Sequence, residues 1–360
     1  MFFSVPCPTG CSCRLNSTTI QPDPPYGYKW NAVASDGAGM EVAVCTRNRA
    51  GSGQSDDQPN MAYSTDGGQT WNEATITAGL TTDIGYVSVA WNGTYWAAYC
   101  YGDSRFARST DGINWVVTAS SGTFNPWGAG FYNTSLGVLP DGKFYGVYGN
   151  NDNNRILRSS NDGQSFDYLA VLPHSGQWSG VAHNGINVVA VGTGASGGGT
   201  NQAAYSAIAD ITNVWTASTM PAAAQWQQVV WDGTYFVATA STNTAVRGAR
   251  SLTGATWEEI TLPTQAHQGV NLKDIANYGH LITDDRGSLW LSIWRLDDLG
   301  TPTTTTEFFC SSDHGSNWSA ITYPSEDMWL AIGWSGFRLY GLENRSDAVG
   351  GIDAWYSDER

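Results

Sequence analysis

Ser64-Thr65-Asp66-Gly67-Gly68-Gln69-Thr70-Trp71 (STDGGQTW) is the stretch on which the reading of this 360-residue chain turns. A serine hydroxyl and a short carboxylate can accept hydrogen bonds from turn amides, the glycines can take positive φ, and the tryptophan can bury against a neighbouring sheet. The stretch therefore reads as a hairpin turn closed by its own side chains. Copies follow at Ser109–Trp115 (STDGINW), Ser159–Phe166 (SSNDGQSF) and Ser311–Trp318 (SSDHGSNW). Degenerate copies run over Ser206–Trp215 and Ser251–Trp257, and the chain ends inside a seventh at Tyr356, Ser357 and Asp358. The serines at 64, 109, 159, 206, 251, 311 and 357 are spaced by 45, 50, 47, 45, 60 and 46 residues. A period of this size predicts a repeat architecture.

A second pattern fills the space between the turns. WNAVASDG (Trp30–Gly37), YVSVAWNG (Tyr86–Gly93), WSGVAHNG (Trp178–Gly185), WQQVVWDG (Trp226–Gly233) and WLAIGWSG (Trp329–Gly336) each place an aromatic seven positions before a glycine. Asp-Gly and Asn-Gly are strong signals for two-residue hairpins, because both central residues need positive φ. An alternating strand, the hairpin, a second strand, a variable loop and two strands flanking the serine turn make four strands per repeat, the unit of a propeller blade. Starting at Trp30, Tyr86, Trp127, Trp178, Trp226, Val270 and Trp329, the repeats number seven. The expected fold is thus an all-β, seven-bladed β-propeller of four-stranded antiparallel blades. The seventh repeat lacks its outermost strand, and Ser17–Ile20 resembles the strands that leave the serine turns. It is predicted to complete that last blade and close the ring. The expected division is a cysteine-containing extension, residues 1–16, followed by the propeller, residues 17–360.

Composition narrows the function. The formal net charge is −15 with three lysines, Lys29, Lys143 and Lys273, which argues against nucleic acid and anionic membrane surfaces, since both call for a basic patch. No stretch is long enough to span a bilayer, and the first residues lack the charged start and apolar core of a signal peptide. Five histidines, His174, His183, His267, His280 and His314, are scattered without ligand spacing, so no metal or other cofactor is predicted. Cys45, Cys100 and Cys310 read as buried thiols. Cys7 could form a disulfide with Cys11 or Cys13, a zinc site lacking a fourth ligand.

The Ser-x-Asp-x-Gly-x-x-Trp turn, combined with the W-x-x-V-A-x-x-G strand, resembles the Asp-box (BNR) repeat of sialidase-like β-propellers, frequent in phage tail and bacterial surface proteins. The resemblance implies that the boxes lie on the outer rim, away from the ligand face. Ser64, Asp66, Gly68 and Trp71 would then be structural, as would Ser109, Asp111, Gly112 and Trp115. The same applies to Asp162, Gly163 and Phe166, and to Ser311, Asp313, Gly315 and Trp318. Arg108, Arg158 and Arg250, just before three boxes, are expected to brace these turns. A sialidase needs an arginine triad, a tyrosine nucleophile with a glutamate partner and an acid/base aspartate; its Arg-Ile-Pro signature is absent, and Pro24–Trp30 carries no arginine. No catalytic residue is assigned.

Binding is expected on the face formed by the other loops. The first-strand aromatics Trp30, Tyr86, Trp127, Trp178, Trp226 and Trp329 are placed near it, where they would stack on a ligand or else pack between blades. Arg47, Arg49, Arg105, Arg155, Arg247 and Arg345 lie in or beside the variable loops, as grips for a carboxylate or as partners of nearby aspartates. The expected role is a non-catalytic recognition or assembly module on a virion or extracellular surface. Its partner would be a host-surface glycan or another surface protein, with the cysteine segment able to dock to another subunit. The alternatives are a glycan-cleaving hydrolase or lyase, and a structural decoration protein.

Overall fold

A computed structural model describes residues 15–21, 28–47, 61–78, 85–101, 105–118, 135–150, 153–194, 199–241, 246–263, 279–293, 307–321, 328–344 and 353–357. Among these the structure is strand and turn, with a single 3-10 turn at Ile208–Asp210 and no α-helix. Four-stranded antiparallel sheets recur along the chain. The second repeat shows the pattern: Gly85–Trp91 pairs with Trp96–Tyr101, that strand with Phe106–Ser109, and that with Asn114–Thr118. The seven serines that open the turns occupy one register. Glu41 faces Ser64, Trp96 faces Ser109, Val188 faces Ser206, Phe236 faces Ser251 and Leu289 faces Ser311. The Ser159 amide donates to the Phe144 carbonyl, and the Leu339 amide to the Ser357 hydroxyl.

The chain divides into two compact units. One comprises Leu15–Gly146, Leu157–Tyr168 and Trp329–Arg360; the other comprises Met1–Arg14, Val147–Ile156 and Leu169–Met328. The boundary falls within the third sheet, whose strands run in order Leu136–Val138, Phe144–Asn150, Asn153–Arg158 and Asp167–Val171.

In each unit the core lies between consecutive repeats. The second strands read as nearly unbroken apolar runs because period-two alternation presents residues to both faces and both faces are covered. In the first repeat Ala43 and Cys45 join a cluster with Ala331, Tyr340 and Leu342 of the seventh, while Val42 and Val44 join one with Tyr86, Trp96 and Ala98 of the second. In the other unit Val189 and Val191 of the fourth repeat pack with Trp226, Phe236 and Ala238 of the fifth. Val237 of the fifth packs in turn with Leu281, Leu289 and Leu291 of the sixth.

Neighbouring repeats are also joined through their outer strands. After the fourth strand of the first repeat, Thr75–Ala78 runs parallel to Asn114–Thr118 of the second. Thr219, on the outermost strand of the fourth repeat, bridges in parallel to Thr256 of the fifth. The 16-residue strand Thr216–Trp231 is outermost in the fourth sheet and innermost in the fifth. Leu15–Gln21 follows the same rule: Leu15 to Thr19 pair antiparallel with Asp353–Ser357, and Ile20 and Gln21 then run parallel to Trp71 and Asn72. This strand begins two residues before the expected boundary.

Cys45 and Cys100 are free and buried. Cys310, expected to be a thiol, is disulfide-bonded. Its partner lies outside the described residues, as do the extension and Cys7, Cys11 and Cys13.

Candidate functional site

The serine turns are stapled from within. The Ser64 hydroxyl donates to Asp66 Oδ1 (2.8 Å) and accepts the Gly68 amide (2.9 Å); Asp66 takes the Gln69 and Thr70 amides and the Thr70 hydroxyl; the Trp71 indole donates to the Gly68 carbonyl (3.0 Å). Ser109, Asp111, Gly112 and Trp115 repeat this set, as do Ser311, Asp313, Gly315 and Trp318. Partial burial works against the charge on Asp111, but hydrogen bonds from Asn114, Ile113 and Ser109 outweigh it and pull the carboxyl down to about 2. Asp66 and Asp313 are lowered in the same way, burial opposing and turn donors prevailing. Each of these carboxylates accepts several hydrogen bonds from its own turn.

Asp162 requires a correction. In the third repeat Asn161, two residues after the serine, takes the place of the box acid: it accepts from the Ser159 hydroxyl and from the Ser165 amide. Asp162 is one position too late, with φ of 58°, and its carboxylate meets the Asn92 amide of the second repeat. The turn glycines do more than permit positive φ. A Cβ on Gly68 would lie 2.7 Å from Tyr340, one on Gly112 3.0 Å from Val42, and one on Gly254 2.4 Å from Val189, each on the second strand of the preceding repeat.

Two of the three arginines before the turns brace the next repeat's turn. Arg108 lies over the Tyr95 ring at 3.5 Å and donates to the Asp162 carbonyl. In the other unit Arg250 lies over Tyr235 at 4.8 Å and donates to the His314 carbonyl. His314, with φ of 61°, also meets the fully buried Asp232 carboxylate through Nδ1 at 3.0 Å. Asn92 and Asp162 make the corresponding contact between the second and third repeats, which marks the Asp232–His314 pair as a structural clasp. Arg158 pairs instead with Asp141 in its own repeat.

The first strands carry contacts that the sequence reading missed. Each aromatic is followed by a β-bulge, at Trp30/Ala32, Tyr86/Ser88, Trp178/Gly180 and Trp226/Gln228. The polar residues there reach the first strand of the next repeat. Asn31 donates to the Tyr86 carbonyl (2.8 Å) and Ser179 to the Trp226 carbonyl (2.6 Å). Ser88 accepts the Leu136 amide and Gln228 the Leu281 amide. The signal was present as a polar residue one or two positions after each aromatic, in WNAV, YVSV, WSGV and WQQV.

The aromatics themselves are core. Trp30, Tyr86, Trp178 and Trp226 are buried, and the Trp178 and Trp226 indoles donate to the carbonyls of His174 and Ala222. Trp30, Tyr86 and Trp226 belong to clusters shared with the preceding repeat, and with all four buried the stacking role does not fit them. Arg105 and Arg155 are half-buried, and Arg247 pairs with Glu259 at 2.5 Å. Trp127, Arg49 and Arg345 lie outside the described residues, as do the side chains of Arg47 and Trp329. No cluster of metal-binding side chains occurs among the described residues, and no helix there is long and apolar enough to cross a membrane.

Repeating four-stranded sheets, with cores between consecutive repeats and parallel hand-offs at their outer strands, have counterparts among known structures. The fold is β-propeller-like. No family model matches the chain, and no curated protein matches its sequence. Solved structures do. YCF48 bound to a D1 peptide aligns with TM-score 0.59 and 14% identity, covering 96% of this chain and 97% of that one. A catalytically inactive virginiamycin B lyase from Staphylococcus aureus, with quinupristin, gives 0.61 and 10% over 96% and 99%. A Dyadobacter fermentans protein of unknown function gives 0.50 and 13% over 96% and 99%. At these identities the likeness carries the fold alone.

Proposed function

We propose that the chain is a seven-bladed Asp-box propeller of the sialidase-like kind, closed by Leu15–Gln21, and that it serves as a non-catalytic recognition module. Closure is supported by the junction of the seventh and first repeats, which uses the same parallel hand-off as the first with the second. Removing residues 1–22 should lower the melting temperature far more than loss of a tail; an unchanged value would refute closure.

The observation that carries the functional reading is the full engagement of the recurrent acids Asp66, Asp111 and Asp313 by their own turns. The chemistry that recurs in every good copy holds the scaffold, and recognition falls to the loops that vary. The partner is a segment of another protein or a surface glycan. YCF48, of similar fold, was solved with a peptide bound. Exposure on a virion or extracellular surface accords with the disulfide at Cys310, a bond that persists in oxidising compartments. A lyase is the second reading, favoured by the shared fold of virginiamycin B lyase.

Incubation of the full chain with surface polysaccharides and an extended-peptide library separates these readings. Saturable binding with the ligand recovered intact supports recognition. Cleaved products with new unsaturated or reducing ends would replace it with the enzymatic reading.

A further inference from the structure

One position in the repeat register breaks its own rule. The residue facing the turn serine is apolar in six repeats: Trp96, Phe144, Val188, Phe236, Leu289 and Leu339. All six are buried, and Trp96, Phe236 and Leu289 belong to clusters shared with the preceding repeat. In the first repeat the position is Glu41, with no exposed surface. Its neighbours along the strand on the same face, Ala43 and Cys45, pack with the seventh repeat.

The carboxyl is poorly provided for. Oε1 accepts one hydrogen bond, from the Ser35 hydroxyl at 3.2 Å, and Oε2 is buried without a partner. The buried Tyr340 hydroxyl of the seventh repeat is turned towards Glu41, short of full hydrogen-bond geometry. The charged groups around it do not compensate a negative charge. Asp36, in the first hairpin, holds the Ala38 and Met40 amides, and Asp66 holds its own turn. Arg338, just before the Tyr340 strand, donates to the Ser357 carbonyl and lies against the Phe337 and Tyr356 rings. An ionised carboxylate here would be desolvated with only the neutral hydroxyls of Ser35 and Tyr340 turned towards it, which proteins tolerate poorly.

We infer that Glu41 is a proton-dependent latch between the first and seventh repeats: its neutral acid form fills the apolar slot, and ionisation loosens the contact with Tyr340. Burial is the main force on its titration, pushing the carboxyl up to about 8; the nearby Tyr340 and Ser35 hydroxyls oppose this, and Asp36 and Asp66 add to it. A folded-state value raised above the unfolded one means that the folded chain holds the extra proton. Its stability therefore falls as pH rises between the ordinary glutamate range and about 8, then levels off.

The test compares the full-length wild type with Glu41→Gln and Glu41→Leu by urea unfolding from pH 5 to 9.5. The wild-type folding constant should fall relative to either variant by about tenfold per pH unit up to about 8. Hydrogen exchange should place the loosening at the Leu339 and Tyr340 amides before those of Ala97 and Ala98. If neither variant folds, carboxyl NMR of wild-type protein labelled at glutamate should show one resonance titrating near pH 8. Parallel pH profiles for wild type and variants, or no glutamate titrating above the ordinary range, would overturn the latch.

Discussion

The serine turn of the second repeat and that of the fifth are the same device at two levels of furnishing. In Ser109–Trp115 the serine takes the Gly112 amide, the tryptophan donates to the Gly112 carbonyl, and Asp111 gathers the Ile113 and Asn114 amides. In Ser251–Trp257 the serine takes the Gly254 amide and the tryptophan donates to the Gly254 carbonyl. Where Asp111 stands, the fifth repeat has Thr253, whose hydroxyl accepts the Ala255 amide. Serine, glycine and an aromatic, tryptophan here and the buried Phe166 in the third repeat, are thus the working minimum of these turns, and the acid is reinforcement. Asn161 in the third repeat teaches the same, since a neutral amide oxygen accepts the turn amide as well.

The comparison can be broken most forcefully at the tryptophans. Trp115 is wholly buried, whereas Trp257 is only partly so. Trp115→Ala should cost about 3–5 kcal/mol and Trp257→Ala distinctly less; equal losses in denaturant unfolding would show that burial does not set their difference. Next comes the serine. Ser109→Ala and Ser251→Ala each strand a buried glycine amide and should cost about 1–3 kcal/mol, with similar values in the two repeats if the shared minimum is the right one.

The acid should matter less. Asp111→Ala is expected to cost about 1 kcal/mol, because an exposed carboxylate is discounted by solvent, and Thr253→Asp should stabilise the fifth repeat by a smaller amount. The effect carries a pH signature. A carboxyl depressed to about 2 in the folded state stabilises above the ordinary aspartate range and loses that contribution as pH falls through it towards 2. Asp111→Asn should remove this part of the acid slope, measured as the unfolding midpoint from pH 5 to 2. The smallest effect concerns the clasps. Arg108→Ala and Arg250→Ala should each cost about 0.5–1 kcal/mol, and high salt should not abolish either loss, because each arginine also rests on a tyrosine ring.

Much of this was legible in the chain. The turn chemistry was, because Ser64 to Trp71 satisfies its own hydrogen bonds within eight residues, and local chemistry can be read locally. The four-strand unit followed from Asn92-Gly93 and Asp232-Gly233 flanked by alternating strands, although these hairpins close over four residues, Trp91 facing Trp96 and Trp231 facing Phe236, and not over the expected two, with only the glycines at positive φ. The candidate site was not. The first-strand aromatics were read as stacking on a ligand or else packing between blades, and the burial of Trp30, Tyr86, Trp178 and Trp226 fits the second. Which face of a strand meets a neighbour is decided by residues about one repeat away, as Asn31 with Tyr86 and Ser179 with Trp226 show. Asp162 was misread for a related reason. Adjacent Asn161 and Asp162 are equivalent as turn formers, and only the turn's path shows that Asn161 points inward.

The amino-acid sequence by itself determined the period, the alternation of strands and turns and the staples of the turns at Ser64, Ser109 and Ser311, since these rest on propensity, positive-φ glycines and hydrogen bonds within a few residues. Tertiary structure alone decided that Arg108 and Arg250 serve the next repeat's turn, that Cys310 is bonded, and that Glu41 is sealed against the seventh repeat. The reason is one of distance along the chain. A strand with both faces buried is apolar throughout, and only its packed neighbours reveal which side a lone carboxyl has been made to face.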